Sequence, residues 1–192
     1  NPNKPHILHP FSKEQITRNF QLSSDTWSAG DLTFRILSPV RPVPDPELAT
    51  DEELKDVLLP AVLVEIEVDN TSSSSTRRAF FGFQGTDAYS AMRSLDTSAE
   101  LTGIGQGRLL AIAAAKGTVE SALHFTMEDI LTAELKENWT FGLGQVGALI
   151  MDVPAGERKT YRFAVCFHRS GFITSGIDAS YYYNRYFSNV ES

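Results

Sequence analysis

The chain has 192 residues with a formal net charge of −7, and its 42% hydrophobic and 21% charged content is ordinary for a globular protein. The acidic balance argues against a nucleic-acid partner, because such proteins carry a basic patch or an excess of basic residues. The single cysteine, Cys166, excludes an internal disulfide, which fits a cytoplasmic protein, and no apolar stretch approaches the roughly 18 to 20 residues of a membrane helix.

Strands dominate the first part of the chain, with one helix between two of them. DLTFRILS at 31–38 and AVLVEIEVDN at 61–70 alternate apolar and polar residues, the pattern of strands with one buried face. Between them, ATDEELKDVLL predicts a short connecting helix. Thr50 can cap this helix and Glu53, three residues later, completes a capping box, while the acidic first turn is favoured by the helix dipole.

The segment TRRAFFGFQGTD at 76–87 departs from that alternation. As a strand it places Phe80 on one face and Phe81 and Phe83 on the other, with Gly82 between the rings. A strand with one solvent-facing side does not normally carry large aromatic residues on both faces. We therefore expect both faces to be covered, either within the domain or by parts of a larger protein.

Two hairpins and a helix are predicted in the second half. GRLLAIAAA at 107–115 is apolar on both faces, and VESALHF follows it after an AKG turn, which predicts a hairpin. A second hairpin is predicted in GALIMDVPAGERKTYRFAVCFH, with PAGE at 154–157 as its turn. IDASYYYNRYFSNVE at 177–191 predicts a C-terminal helix. Many short strands with few helices predict a mainly β fold, an antiparallel β-sandwich of the supersandwich type.

No stretch carries a specific signature for a bound cofactor or metal. GIGQG at 103–107 superficially matches a phosphate-binding turn, but that motif needs a strand before it and a helix after it, so we interpret it as a turning loop. His6 and His9 lie among prolines. His124 and His168 lie on predicted strands without a cysteine or carboxylate at ligand spacing. We predict neither a cofactor nor a metal site.

The cysteine and the carboxylates do not predict catalysis within this chain. Cys166 lies in an apolar strand, which favours a buried, unreactive thiol over a nucleophile. A glycosidase needs two carboxyl groups that flank the sugar bond. Six carboxylates are predicted near loops: Asp87, Asp96, Glu100, Glu128, Asp129 and Asp178. Glu128 and Asp129 are adjacent, but neighbours on a strand point to opposite faces, so they are not evidence of a catalytic pair.

Five segments carry a resemblance that extends through nearly the whole chain. They are TRRAFFGFQGTDAYSAMR, GIGQGRLLAIA, SALHFTMEDILTAELKENWTFGLGQVGALI, DVPAGERKTYRFAVCF and GIDASYYYNRYF. Together they closely resemble bacterial β-xylosidases of glycoside hydrolase family 52. The resemblance implies a β-sandwich domain followed by an (α/α)6 barrel. It also implies a retaining exo-hydrolase that removes xylose from the non-reducing ends of β-1,4-xylo-oligosaccharides in xylan degradation, as an intracellular homodimer without a required metal or cofactor.

The same resemblance limits what these 192 residues do by themselves. In the family, the nucleophile and the acid/base are carboxylates of the barrel, and no position here corresponds to either one. The chain begins with Asn1 instead of Met and lacks the family's earliest N-terminal strands, so we expect residues 1–192 to be a single sandwich domain of a larger enzyme. Its expected partners are the barrel of the same polypeptide, a xylo-oligosaccharide bound through that barrel and a second subunit, with no nucleic acid and no membrane.

The segment 85–107 is too long for a simple hairpin loop, and long ordered loops on a sandwich often carry function. Its candidates for contact with the barrel or with the mouth of the sugar pocket are Asp87, Tyr89, Arg93 and Asp96. We favour structural docking over direct substrate contact. We expect the C-terminal helix on the same surface, because five aromatic rings within 181–187 cannot all pack against one sheet.

Two alternatives remain open: a free-standing carbohydrate-binding module, and a domain that serves only dimerisation. A carbohydrate-binding module presents exposed aromatic platforms with polar neighbours. In this sequence only Trp27, Tyr89 and the tyrosines at 181–183 are plausible platforms, because the other aromatic residues fall mostly at alternating core positions.

Overall fold

The computed structural model describes residues 9–87, 89–95, 99–132, 145–174 and 176–192. These residues form thirteen strands, two α-helices and two short 3-10 helices. The strands are β1 (Thr17–Phe20), β2 (Ser24–Ala29), β3 (Leu32–Leu37), β4 (Ala61–Asp69), β5 (Arg77–Gln84), β6 (Met92–Leu95), β7 (Leu101–Gln106), β8 (Leu110–Ala115), β9 (Glu120–His124), β10 (Val146–Val153), β11 (Arg158–Phe167), β12 (Ile173–Thr174) and β13 (Asp178–Ala179). The helices are α1 (Asp51–Leu58) and α2 (Met127–Thr132), and the 3-10 helices are Lys13–Gln15 and Tyr182–Arg185.

The strands form two main antiparallel sheets. The large sheet has the order β1-β2-β3-β4-β11-β8-β7-β6 and the small sheet has the order β5-β10-β9, while β12 and β13 form a separate pair. We refer to the face of the large sheet that is directed toward the small sheet as the inner face, and to the opposite one as the outer face. Two packed antiparallel sheets with few helices confirm the predicted mainly β sandwich.

The core lies between the two sheets, and the alternation along β4 decides which side chains enter it. Val64, Ile66 and Val68 are buried on the inner face, whereas the residues between them are more exposed. Phe163 of β11 lies opposite Val64 and is only 2% exposed. Its ring contacts that of Phe81 in β5 across the sandwich, with 5.0 Å between the ring centroids.

Helix α1 begins at the predicted capping box. Thr50 Oγ1 accepts the Glu53 N–H at 3.3 Å, and the Thr50 N–H donates to Glu53 Oε2 at 2.8 Å. The backbone hydrogen bond lowers the pKa of Glu53. Leu54 is buried under the helix, and the Tyr186 hydroxyl donates to Asp51 Oδ1 at 3.0 Å. The helix is thereby anchored to the C-terminal part of the chain.

Both predicted hairpins are wrong, although their turns occur where they were predicted. β8 pairs with β7 and β11 in the large sheet, whereas β9 pairs with β10 in the small sheet, so the AKG turn carries the chain between the sheets. The turn at 154–157 does the same between β10 and β11. Gly117 and Gly156 adopt φ angles of 82° and 76° in these turns. Local turn residues determine where a strand ends, but the sheet that receives the next strand depends on which apolar faces meet.

The second face of β5 is covered within the domain, as one of the expectations for this strand required. Phe81 and Phe83 pack into the main core. Phe80, on the other face, packs against a small cluster that contains Ile130 of α2. Gly82 lies so close to the backbone of β10 that a Cβ would overlap it, which explains the glycine between the rings. Helix α2 was not predicted, and it covers Phe80 on the second face of β5.

The predicted C-terminal helix is wrong in its extent. It is a single 3-10 turn at Tyr182–Arg185, preceded by the short strand β13. The Tyr183 hydroxyl accepts the Arg169 N–H at 3.0 Å, and Asn184 Nδ2 donates to the Arg169 carbonyl at 3.0 Å. Aromatic residues and asparagine favour a helix only weakly, so these contacts with the preceding loop hold the segment in a turn instead.

The segment 85–107 is also not a single loop. It contains β6 and β7, which pair as the edge hairpin of the large sheet. Most of the GIGQG stretch lies within β7, and Gly107, with φ of 55°, begins the turn to β8. Gly103 faces Leu95 so closely that a Cβ would clash. The glycines therefore serve close packing in a strand, and the interpretation of this stretch as a loop was wrong.

Candidate docking surface

The outer face of the large sheet changes character along the sheet. Around β3, β4 and β11 it is charged, and Glu65 binds Arg35 at 2.6 Å and Arg162 at 2.8 Å. The hydrogen bond from Arg162 is the largest cause of the lowered pKa of Glu65. Toward β6 the same face becomes apolar, and we call this part the outer apolar surface. It comprises Leu63, Leu95, Leu101, Ala111, Ala113 and Ala164, and it is bordered by Leu59, just before β4, and by Phe167, the last residue of β11.

The outer apolar surface is only partly covered. The exposed fractions of Leu63, Leu101 and Phe167 are 47%, 43% and 49%. A groove of about 540 Å³ lies between this surface and the last residues of the chain. Single exposed apolar side chains are common, but several grouped around a groove are typical of a surface that binds another protein segment.

The last residues of the chain are held against this surface by three different contacts. Val190 packs against the buried cluster of the outer face. His168 is buried and donates from Nε2 to the carbonyl of Phe187 at 3.0 Å. Glu191 forms an ion pair with Arg93 of β6. The C-terminal segment and the edge hairpin therefore form one continuous surface.

Three of the four residues predicted as site candidates, Asp87, Tyr89 and Arg93, lie in or just before the edge hairpin. Asp87 Oδ1 accepts the Tyr89 N–H at 2.9 Å, and this backbone hydrogen bond lowers the pKa of Asp87. Tyr89 is 99% exposed. Arg93 donates from Nε to the carbonyl of Gly107 at 2.6 Å, in addition to its ion pair with the C-terminal segment. Asp96 lies outside the described residues.

One residue that the sequence did not single out organises this region. Gln106 is 9% exposed at the end of β7. Its Nε2 donates to the Asp87 carbonyl at 2.9 Å and to the Ser90 carbonyl at 3.0 Å. These bonds fix the turn that presents Tyr89. A polar residue inside a glycine-rich strand was the available signal, but its partners are 16 and 19 positions away along the chain.

The described residues offer little other binding chemistry. They contain no group of three or more side chains that could hold a metal ion, and none of their helices is long and apolar enough to cross a membrane. Cys166 lies beside the outer apolar surface, and burial raises the pKa of its thiol. A raised pKa keeps the thiol protonated, which favours the predicted unreactive role.

The predicted aromatic platforms differ in how open their rings are. The Arg18 guanidinium lies 5.1 Å from the ring centroid of Trp27, and the Phe34 ring lies 5.7 Å from it. Tyr181 and Tyr183 stack on each other at 5.3 Å with an interplanar angle of 11°. Rings that already stack on neighbours have less open face for a sugar.

The comparisons with known proteins decide the family. The family described as Glycosyl hydrolase family 52 matches residues 1–192. The chain belongs to this family. One relative, named Beta-xylosidase, from Geobacillus stearothermophilus, is 63% identical over 192 residues, which are 100% of this chain and 27% of the relative. Another of the same name and organism is 45% identical over 192 residues, which are 96% of this chain and 30% of the relative. The resemblance found in the sequence is confirmed, and the chain spans less than a third of the length of these relatives.

In a family of glycosyl hydrolases, the carboxyl groups are the first candidates for chemistry. Where their pKa values are shifted among the described residues, the shift is downward: Glu14, Asp25, Glu53, Glu65, Asp69, Asp87 and Asp152. The acid of a glycosidase needs a raised pKa, so that it holds a proton for the leaving group. Asp129, in the first turn of α2, accepts the Thr126 hydroxyl at 2.8 Å while its N–H donates to that hydroxyl. These carboxylates support turns, caps and ion pairs.

Proposed function

We propose that residues 1–192 are a single non-catalytic β-sandwich domain of a β-xylosidase. The observation that carries this proposal is the match of the whole chain, at 63% identity, to a relative named Beta-xylosidase of which it spans 27%. The downward pKa shifts of the carboxyl groups support the assignment of catalysis to another part of the polypeptide. In the proposed enzyme, that part is an (α/α)6 barrel that carries the nucleophile and the acid/base.

The complete enzyme is proposed to hydrolyse β-1,4-xylo-oligosaccharides from the non-reducing end with retention of configuration, as a step in xylan degradation. We further propose that it is a cytoplasmic homodimer. The single cysteine agrees with a reducing compartment, since a protein there does not depend on disulfides. The barrel binds the xylo-oligosaccharide, and no cofactor or metal is proposed.

We assign docking of the barrel to the outer apolar surface. Half-exposed Leu63, Leu101 and Phe167 support this assignment, because docking removes their apolar area from water. The edge hairpin and the C-terminal segment are joined on the same side by the ion pair of Arg93 with Glu191. Asp87 and Arg93 are proposed as supports of this surface. Tyr89 and Asp96 are proposed as contacts with the barrel or with the mouth of its sugar pocket.

A chimeric protein tests the activity. In it, these 192 residues replace the matching segment of the relative that is 63% identical. We expect the chimeric protein to hydrolyse an aryl β-xyloside and the 192-residue chain alone to show no turnover. Turnover by the chain alone that disappears when one of its own carboxylates is changed would contradict the proposal.

A pair of substitutions in the same chimeric protein tests the docking surface. Leu101→Glu places a charge on the outer apolar surface and is expected to lower the melting temperature and the xylosidase activity. Leu48→Glu is the matched control, because Leu48 is 85% exposed and lies outside that surface. Equal effects of the two substitutions would contradict docking at this site. Saturable binding of xylo-oligosaccharides by the chain alone would favour a carbohydrate-binding module, and stable self-association of the chain alone would favour a dimerisation domain.

A further inference from the structure

The inner face of the large sheet is wider than the small sheet that covers it. β5 is an edge strand of the small sheet, and within the described residues it pairs only with β10. Beneath β5, the centroid of the Phe81 ring lies 5.0 Å from that of Phe163 in β11 and 5.9 Å from that of Phe34 in β3. β5 thus lies above β3 and β4, and β1 and β2 extend beyond it. Neighbouring strands are about 4.8 Å apart, so this overhang is about 10 Å wide.

The overhanging strands carry aromatic side chains on the inner face. Trp27 of β2 pairs with Phe34 of β3, and Arg18 of β1 pairs with Trp27, so the three side chains share one face. Phe20, two residues after Arg18, lies on the same face and is 73% exposed. The Arg18 guanidinium lies 5.1 Å from the Trp27 centroid and 5.4 Å from that of Phe20. Asp25 holds it there with hydrogen bonds of 2.9 and 2.5 Å. We call the rings of Phe20 and Trp27 the aromatic floor.

A groove of about 440 Å³ runs between the edge of β5 and the large sheet. Its apolar lining consists of Phe11, Leu32, Phe34, Ile66, Val68, Ala79, Phe80 and Phe81. The ion pair of Arg77 in β5 with Asp31 ties the edge strand to the β2–β3 turn. One wall of the groove is a strand edge, and its base is apolar. An extended peptide fits such a groove by pairing its backbone with the edge while alternate side chains fill the apolar base.

We propose that an extended segment of the same polypeptide, outside these 192 residues, adds to β5 as a fourth strand of the small sheet and packs on the aromatic floor. This inference rests on the proposed function in one respect, because the added strand belongs to the rest of a longer enzyme. The relatives are long enough to contain such a segment, because this chain spans only 27% and 30% of their lengths. The pairing covers Trp27 and Phe20 and leaves the outer apolar surface free for the barrel.

The overhang also argues against a second copy of this chain as the occupant. Two β5 strands paired antiparallel about a twofold axis perpendicular to the sheet would place both large sheets on the same side. Each large sheet extends about two strand spacings, or about 10 Å, past its own β5. The two overhangs would then occupy the same space. A single strand or a hairpin fits within that width without this clash.

A photo-cross-link identifies the occupant in the chimeric protein described above. Phe20→benzoylphenylalanine places the reactive group on the aromatic floor, and Phe125→benzoylphenylalanine, 64% exposed after β9, is the matched control. We expect the probe at position 20, and not the one at position 125, to cross-link to a peptide outside residues 1–192 of the chain. A cross-link within these residues, including 1–8, a cross-link to a second copy, or no cross-link would overturn the inference.

Hydrogen exchange gives a second measurement that does not depend on the probe. Amides of β5 are expected to exchange at least tenfold more slowly in the chimeric protein than in the 192-residue chain, while those of β10, which is paired on both sides, change little. Equal exchange of β5 in both proteins would overturn the strand addition. Xylosidase activity is assayed on the same sample. Activity without β5 protection overturns this inference alone, and β5 protection without activity overturns the proposed function alone.

Discussion

Replacement of Phe163 by alanine tests the packing of the two sheets. The side chain is 2% exposed, and its ring lies 5.0 Å from that of Phe81 at an angle of 55°. Truncation of a buried phenylalanine costs about 3 to 5 kcal/mol, of which the aromatic pair accounts for about 0.5 to 1.5 kcal/mol. The site is flanked by β4 and β8 and covered by β5, so the neighbours cannot fill the space without moving a strand. We therefore expect a loss in the upper half of that range.

Urea unfolding of the purified chain, followed by circular dichroism, measures this loss as a shift in the midpoint. Phe167→Ala is the matched control, because Phe167 is the same residue type on the same strand but is 49% exposed. With about half of its apolar area already in water, its truncation should cost only about 1 kcal/mol. Similar shifts for both substitutions, or no shift for Phe163→Ala, would refute the assignment of Phe163 to the inner face.

Three further predictions concern local contacts. Thr50→Ala removes the cap of α1 and should lower the free energy of unfolding by about 1 kcal/mol in urea; an unchanged midpoint would contradict the capping role. Asn70→Ala removes an amide that donates to three backbone carbonyls at 2.9 to 3.0 Å, and should cost about 1 to 3 kcal/mol in the same assay, more than an exposed substitution. Hydrogen bonds from Thr71, followed by the one from Arg158, lower the pKa of Asp69 to about 2. The resulting stability is present above the unfolded pKa of about 3.9 and is lost as the pH falls toward 2, so Asp69→Asn should flatten that part of the stability profile; an unchanged profile would contradict this.

The strand positions could be predicted from the sequence because alternation is a local property. The segment predicted at 61–70 is β4 at Ala61–Asp69, and Thr50 caps α1 as its spacing with Glu53 indicated. The sheet in which each strand lies could not be predicted. β8 and β9 are both apolar and are separated by a tight turn, which is the pattern of a hairpin, yet they lie in different sheets. Their partners are chosen by burial against strands far away in sequence.

The candidate surface shows the same division. The prediction singled out Asp87, Tyr89 and Arg93 because the stretch between the flanking predicted strands is unusually long, and the structure places them in or just before the edge hairpin. Their structural partners could not be read from it. Glu191 lies 98 residues after Arg93, and Gln106 reaches back 19 residues to Asp87. Such pairs form only when segments that are distant in sequence meet in the folded chain, and neither composition nor residue spacing predicts which segments meet.

The two incompletely covered regions lie on opposite faces of the large sheet and toward opposite ends of it, which argues for separate occupants. The aromatic floor is on the inner face at the β1 end of the large sheet, and the outer apolar surface is on the outer face toward the β6 end. A body docked on one face cannot reach the other without passing around the sheet edge. The shapes also differ, because a narrow overhang beside a strand edge suits an extended segment, whereas a broad patch of half-exposed Leu63, Leu101 and Phe167 suits a domain. We therefore treat the strand addition and the docking of the barrel as separate events, each with its own control.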